Sequence, residues 1–259
     1  MLTFCRILWY NNCIENKEMQ TSNTEEMVTI SRAEYERFLA REREPGRSAT
    51  SKSYMWLYRT SGCAKQSIVL YEYQPTRKAE HAEVFLQGFS GWLHADGYQG
   101  YHKLPGSIHV VGCWAHARRK FDEALSALAQ EKRDGSPAAM GEWYCSQLFK
   151  LEQSFAELTP EERYKKRLEQ EKPVLDALLS WANEMQGRTA PKSTLGKAIH
   201  YLLEQWPYLT RYLEDGRLEL SNNRAERSIK PFVMGRKNWL FANTAGGARA
   251  SAVIYSLIE

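Results

Sequence analysis

From Ala115 to about Tyr212 the chain carries a nearly continuous helical pattern, and what stands on either side of it constrains the fold. Thr159-Pro160-Glu161-Glu162 is a strong helix start: a capping hydroxyl, proline at the first helical position, and acids on the positive helix end. Leu175, Leu178, Leu179 and Ala182 mark a buried face, as do Ala198, Tyr201, Leu202 and Leu203 after the Pro191-Lys192-Ser193 break. Ahead of this block the pattern is that of strands. Tyr54 to Tyr58 and Ser67 to Tyr73 are aromatic and β-branched, and Ser61-Gly62 between them predicts a hairpin. Residues 78–90 suit a short helix. Trp92 to Ala95 is a short buried strand ending at Asp96-Gly97, and Ile108 to Gly112 is another. The outcome is an α/β chain: a small sheet, a long helical insertion, and one more helix opening at Asn223.

The N-terminal region is less regular. Residues 1–26 show no clear period, and Met27 could serve as the start. Thr29 to Arg43 reads as a helix, with Ser31 as cap and Glu34 completing a capping box, closed by Glu44-Pro45-Gly46. Leu2 to Tyr10 is apolar apart from Arg6, but too short and without the small-residue cleavage site of a signal peptide. No stretch approaches the roughly 20 apolar residues that span a bilayer. Five scattered cysteines without a C-x-x-C pair argue against a disulfide framework and a cysteine zinc site, and so for a reducing cytoplasm. A net charge of +4 is too mild to identify a nucleic-acid partner, so its distribution matters more.

Asp96 stands where a strand ends and a turn begins, a good place for a carboxylate to hold a divalent metal, although Asp-Gly is first of all a turn dipeptide. Glu226 follows Asn223 at the spacing of a capping box, which needs no function. Its surroundings favour one. Between Arg217 and Arg249 seven cations (Arg217, Arg224, Arg227, Lys230, Arg236, Lys237, Arg249) face only Glu219 and Glu226. Such a block suits a phosphate backbone, with Trp239 and Phe241 available to stack on bases. A solvated helix face is the plainer reading. Trp114-Ala115-His116-Ala117-Arg118-Arg119-Lys120 adds a second basic cluster, in which His116 could contact phosphate or assist proton transfer.

Taken together, these strings resemble the DDE transposases of the insertion sequence 66 family. The likeness runs from about Glu44 to Glu259 through Lys52 to Arg59, Tyr73 to Arg77, His94 to Tyr98, Gly112 to Phe121, Ser221 to Arg227, and Gly235 to Phe241. It implies a ribonuclease-H-like mixed sheet in which three acids gather two Mg²⁺ ions that activate water, and then a DNA 3′-hydroxyl, for attack on phosphate. By that resemblance Asp96 is the second acid and Glu226 the third, both catalytic and metal-binding. DNA contacts would come from His116, Arg118, Arg119, Lys120, Arg224, Arg227, Lys230, Arg236, Lys237 and Trp239.

The first acid is missing. The family carries it on a strand just upstream of the Gly46-to-Tyr54 linker, whereas no acid lies between Glu44 and Glu72 here. The simplest account is an internal deletion, in a chain that also ends short of its relatives. The expected division is residues 1–26, an irregular extension; 27–45, a coiled-coil remnant; 46–125, the first part of the core, without its usual first strand; 126–215, the helical insertion; and 216–259, the last part of the core. Only Thr3 to Tyr10 could substitute for the strand, and it supplies no acid. The expected partners are transposon-end DNA, accessory proteins of the same element and a second copy of the chain, in the bacterial cytoplasm and not at a membrane. Three readings stay open: an active or decayed transposase, a non-enzymatic DNA-binding remnant that interferes with intact transposase, and a metal nuclease that cuts without joining. A generic helical interaction protein would explain the insertion but not the acids and basic blocks at its ends.

Overall fold

The computed structural model describes residues 2–10, 52–238 and 245–258, with side chains over 53–234 and 245–258. The helix expected within 27–45 lies outside the described residues. Aromatic and β-branched residues build the strands β1 (Leu2–Tyr10), β2 (Lys52–Thr60), β3 (Val69–Gln74), β4 (Gly91–His94) and β5 (Ile108–Val111). They form one sheet in the order β3-β2-β1-β4-β5. The expected hairpin is there, with Tyr54 opposite Gln74 and Arg59 opposite Val69. Strand β4 runs parallel to β5.

The N-terminus departs from expectation. Residues 2–10 form the middle strand rather than part of an irregular extension: the run from Thr3 to Tyr10, named as the one possible substitute, takes the central place, so the sheet does not lack a strand there. Strand β1 pairs antiparallel with β2 along its whole length, from Leu2 opposite Thr60 to Tyr10 opposite Lys52. It pairs parallel with β4 through Leu2 opposite Leu93 and Thr3 opposite His94. The physical reason is the gap: without β1, the facing edges of β2 and β4 would leave two rows of backbone donors and acceptors unpaired in the core.

Both faces of the sheet are covered, which is why β2 buries consecutive residues. On one face Trp56 and Tyr58 pack with Leu93, Ile108, Val110 and residues of α1 (Glu80–Phe85). On the other, Met55, Leu57, Tyr71 and Tyr73 meet α7 (Asn223–Ser228), α8 (Lys230–Asn238) and α9 (Ala245–Ile258). The single helix expected from Asn223 is therefore three, the second opening at Lys230-Pro231, where proline fits the first turn.

Between β5 and α7 runs the insertion. Helix α2 (Trp114–Ser126) leads out of the sheet, followed by α3 (Pro137–Ser154), α4 (Pro160–Lys166), α5 (Lys172–Arg188) and α6 (Thr194–Leu209). The capping box at Thr159 and Glu162 forms as the residues predict. Leu175, Leu178, Ala182, Ala198 and Leu202 are buried with Trp114, Phe121 and Leu148, while Leu179 is half-buried. Val111, Leu218 and Leu220 belong to the same cluster, so the insertion shares its core with the chain entering and leaving it. No helix among the described residues is long and apolar enough to cross a membrane.

Candidate functional site

Strand β4 delivers Asp96. His94, at its end, is fully buried and donates from Nε2 to the Gly112 carbonyl at 2.8 Å; burial pushes its pKa down to about 4, so the ring is neutral. The Ala95 amide still pairs with Val111 across the sheet. One residue further the chain turns, and the Tyr98 amide donates to Asp96 Oδ1 at 3.1 Å. The turn chemistry of Asp-Gly is thus real, and the same turn holds the carboxylate at the strand's end.

Glu226 reaches the same place from the far end of the sequence. The amide of Trp114 donates to the Leu220 carbonyl at 3.1 Å, and the Asn222 amide to Cys113 Sγ at 3.4 Å. These bonds stitch the start of α2 to the segment that opens α7. Burial pushes the Cys113 thiol up to about 11, so it is neutral there. Glu226 then lies beside α2, with Oε1 3.4 Å from His116 Nε2 and Oε2 3.8 Å from an Arg119 guanidinium nitrogen. The capping box proposed at Asn223 does not form. The cap position falls on Asn222, which carries no side-chain cap bond, and the Glu226 side chain is turned toward α2.

His116 ties the two acids together. Burial lowers its pKa, against the upward pull of Glu226 first and Asp96 second. At neutral pH the ring is therefore uncharged, and its contact with Glu226 is not a full ion pair. Asp96, Gly97, Tyr98 and His116 line an open cleft of about 380 Å³, together with Arg77, Gln99 and Tyr201. Sequence reasoning placed Tyr201 only on a buried helix face and did not single out Arg77. Neither had a local signal, since each joins the cleft through a long-range contact.

The basic residues divide. Arg118 pairs with Glu142 at 2.9 Å, Lys120 with Glu123 at 3.2 Å, and Arg224 with Glu219 at 2.7 Å. Arg227 and Lys230 are exposed and have no ion pair with a described acid. Arg236 and Lys237 sit on α8 with side chains outside the described residues, as is all of Trp239.

The donor set for a metal centre is thin. Strand β1 reads Leu-Thr-Phe-Cys-Arg-Ile-Leu-Trp-Tyr and contains no carboxylate. Among the described residues no group of three His, Cys, Asp or Glu side chains is arranged to hold a metal ion. Two carboxylates with an imidazole between them do not fit the two-ion centre that the family resemblance implies.

A mixed sheet that sets a strand-end aspartate in a cleft lined by His116, with a helix-borne glutamate against that histidine and a helical insertion between them in sequence, defines a class of mixed α/β proteins. Within that class the chain belongs to the family described as Transposase IS66 family, which matches residues 38–250. It is 36% identical over 230 residues to y4qI, an uncharacterized protein of Sinorhizobium fredii, covering 83% of this chain and 41% of that one. A second uncharacterized protein of the same organism, y4hP, is 31% identical over 221 residues, covering 79% of this chain and 40% of the relative. The chain thus spans about two fifths of the length of these relatives. No solved structure matches it.

Proposed function

We propose that this chain is a DNA-binding transposase core with a ribonuclease-H-like fold, in which metal-dependent strand cleavage and transfer is lost, or nearly so, for want of one carboxylate. The single observation that carries the reading is the meeting of Asp96 and Glu226 around His116 beside a central strand with no acid. The sheet order β3-β2-β1-β4-β5, with β2 antiparallel to both neighbours, supports the fold assignment. Family membership supports DNA as the partner. Each missing carboxylate leaves more repulsion between two bound Mg²⁺ ions and opens their coordination shells, so both sites fill poorly.

Two measurements test this. The purified protein, mixed with transposon-end DNA and Mg²⁺, is expected to join no strands, and robust joining would overturn the loss of activity. Cutting without joining would instead favour a metal nuclease. DNA binding is expected to fall steeply with salt and to survive Asp96→Ala and Glu226→Ala, because it rests on cations rather than on the acids.

A further inference from the structure

We infer that Arg77 and Tyr201 form a DNA-phosphate subsite in the cleft beside Asp96, so that the helical insertion supplies a binding group as well as a connection. The inference rests on the DNA-binding reading above and adds to it the residues that hold the strand.

Arg77 differs from most of the described cations near the acids. Arg118, Lys120 and Arg224 are each matched to a carboxylate, whereas Arg77 makes no ion pair with any described acid. Its guanidinium lies over the Tyr98 ring, 4.8 Å from the centroid, and the Tyr98 hydroxyl donates to the Arg77 carbonyl oxygen at 2.6 Å. The ring is pinned to the residue whose charge it supports. A stacked guanidinium keeps its in-plane N–H groups free for a bidentate grip on phosphate oxygens.

Tyr201 arrives from α6. Its hydroxyl oxygen sits so close to Gly97 that a Cβ there would be 2.6 Å away, so the glycine of the Asp-Gly turn is what admits it to the cleft. Burial pushes the pKa of the Tyr201 phenol above its ordinary value, so it holds its proton at neutral pH. That proton goes to no described acceptor. An unpaired cation and a neutral donor facing the same 380 Å³ cleft as an acid make a site for an anionic strand rather than for a cationic or apolar ligand.

The test is fluorescence anisotropy of the full chain with a fluorescein-labelled DNA duplex of arbitrary sequence, titrated at several NaCl concentrations. Arg77→Ala is expected to weaken binding roughly tenfold and to lower the logarithmic salt slope by about one. Arg77→Lys is expected to restore the slope but not the full affinity, since an ammonium lacks the fork. Tyr201→Phe is expected to weaken binding roughly three- to tenfold, with slope and melting temperature unchanged. Parental binding and slope in both Arg77→Ala and Tyr201→Phe would overturn the subsite alone. A parent protein that binds no duplex would overturn the subsite and the DNA-binding reading together.

Discussion

Arg167 is completely buried, and its guanidinium is fully used. Nε and Nη2 hold the two oxygens of Glu152 at 2.6 and 3.0 Å. Nη1 donates to the carbonyls of Tyr212 and Asp215, and Nη2 also to that of Leu218. Leu218 lies two residues before Leu220, whose carbonyl receives the Trp114 amide, so this one side chain helps fix the segment that carries Glu226 into the site. Arg167→Ala removes the guanidinium from Glu152 and from the Tyr212 and Leu218 carbonyls, while the Asp215 carbonyl keeps the Leu218 amide, and urea unfolding is expected to show a loss of about 3–5 kcal/mol. A loss below about 1 kcal/mol would show that water replaces the guanidinium easily. Beside it the buried Glu171 accepts from the Tyr212 hydroxyl at 2.7 Å; burial first, and then neighbouring Glu152, push its pKa up to about 8. The folded state therefore holds this proton more tightly than the unfolded chain, whose glutamate titrates near its ordinary value of 4.5. The stabilisation is complete below that value and is lost as pH rises through about 8. Glu171→Gln is expected to flatten the decline in melting temperature between roughly pH 5 and 8; an unchanged slope would place the proton elsewhere.

At the scale of elements, Arg167–Glu171 forms a single π-helical turn between α4 and α5, with its first and last residues buried. Pro173 explains it. A proline two residues into α5 cannot donate to the Glu169 carbonyl, and its ring would strike that oxygen, so the turn widens. Helix α4 also abuts the chain leading to Glu226. A Cβ on Gly216 would fall 1.8 Å from the Pro160 carbonyl oxygen, and both partners are backbone, so neither can rotate away. Gly216→Ala is expected to cost about 1–3 kcal/mol or more in denaturant unfolding, through displacement of a whole segment. Parental stability would mean the two elements slide apart freely. Elements with local signals were legible in the residues: the Thr159 capping box, the β2–β3 hairpin and the strand ending at Asp96. The middle strand was legible only as a candidate, the run from Thr3 to Tyr10, because its pairing is decided by β2 and β4, which lie far along the chain. Asp96 and Glu226 were legible as a pair through the strings around them, but their convergence on His116 depends on the Cys113–Asn222 and Trp114–Leu220 bonds. Continuing the β1–β4 register two residues beyond Thr3 and His94 brings Cys5 level with Asp96. Cys5→Asp is therefore expected to add a Mg²⁺-dependent rise in melting temperature that the parent lacks; no rise would show that this register position does not complete the centre.

On the scale of the whole molecule, three apolar clusters meet along the sheet: one on each face and a third shared with the insertion. The acids lie where the insertion leaves and rejoins the core, so a change in its packing is felt at the cleft. Strand β1 has the widest reach. It precedes the other described strands in the chain, yet it pairs with β2 some fifty positions later and with β4 some ninety positions later. Contacts so distant in sequence must close long loops before they stabilise anything, so the seam of the sheet is expected to zip late and slowly in refolding. Until it does, the inner edges of β2 and β4 stand as open templates. A variant starting at Met27 would keep them open permanently. It is expected to elute from size exclusion as swapped or aggregated species, and an added peptide of residues 1–12 is expected to return it toward monomer.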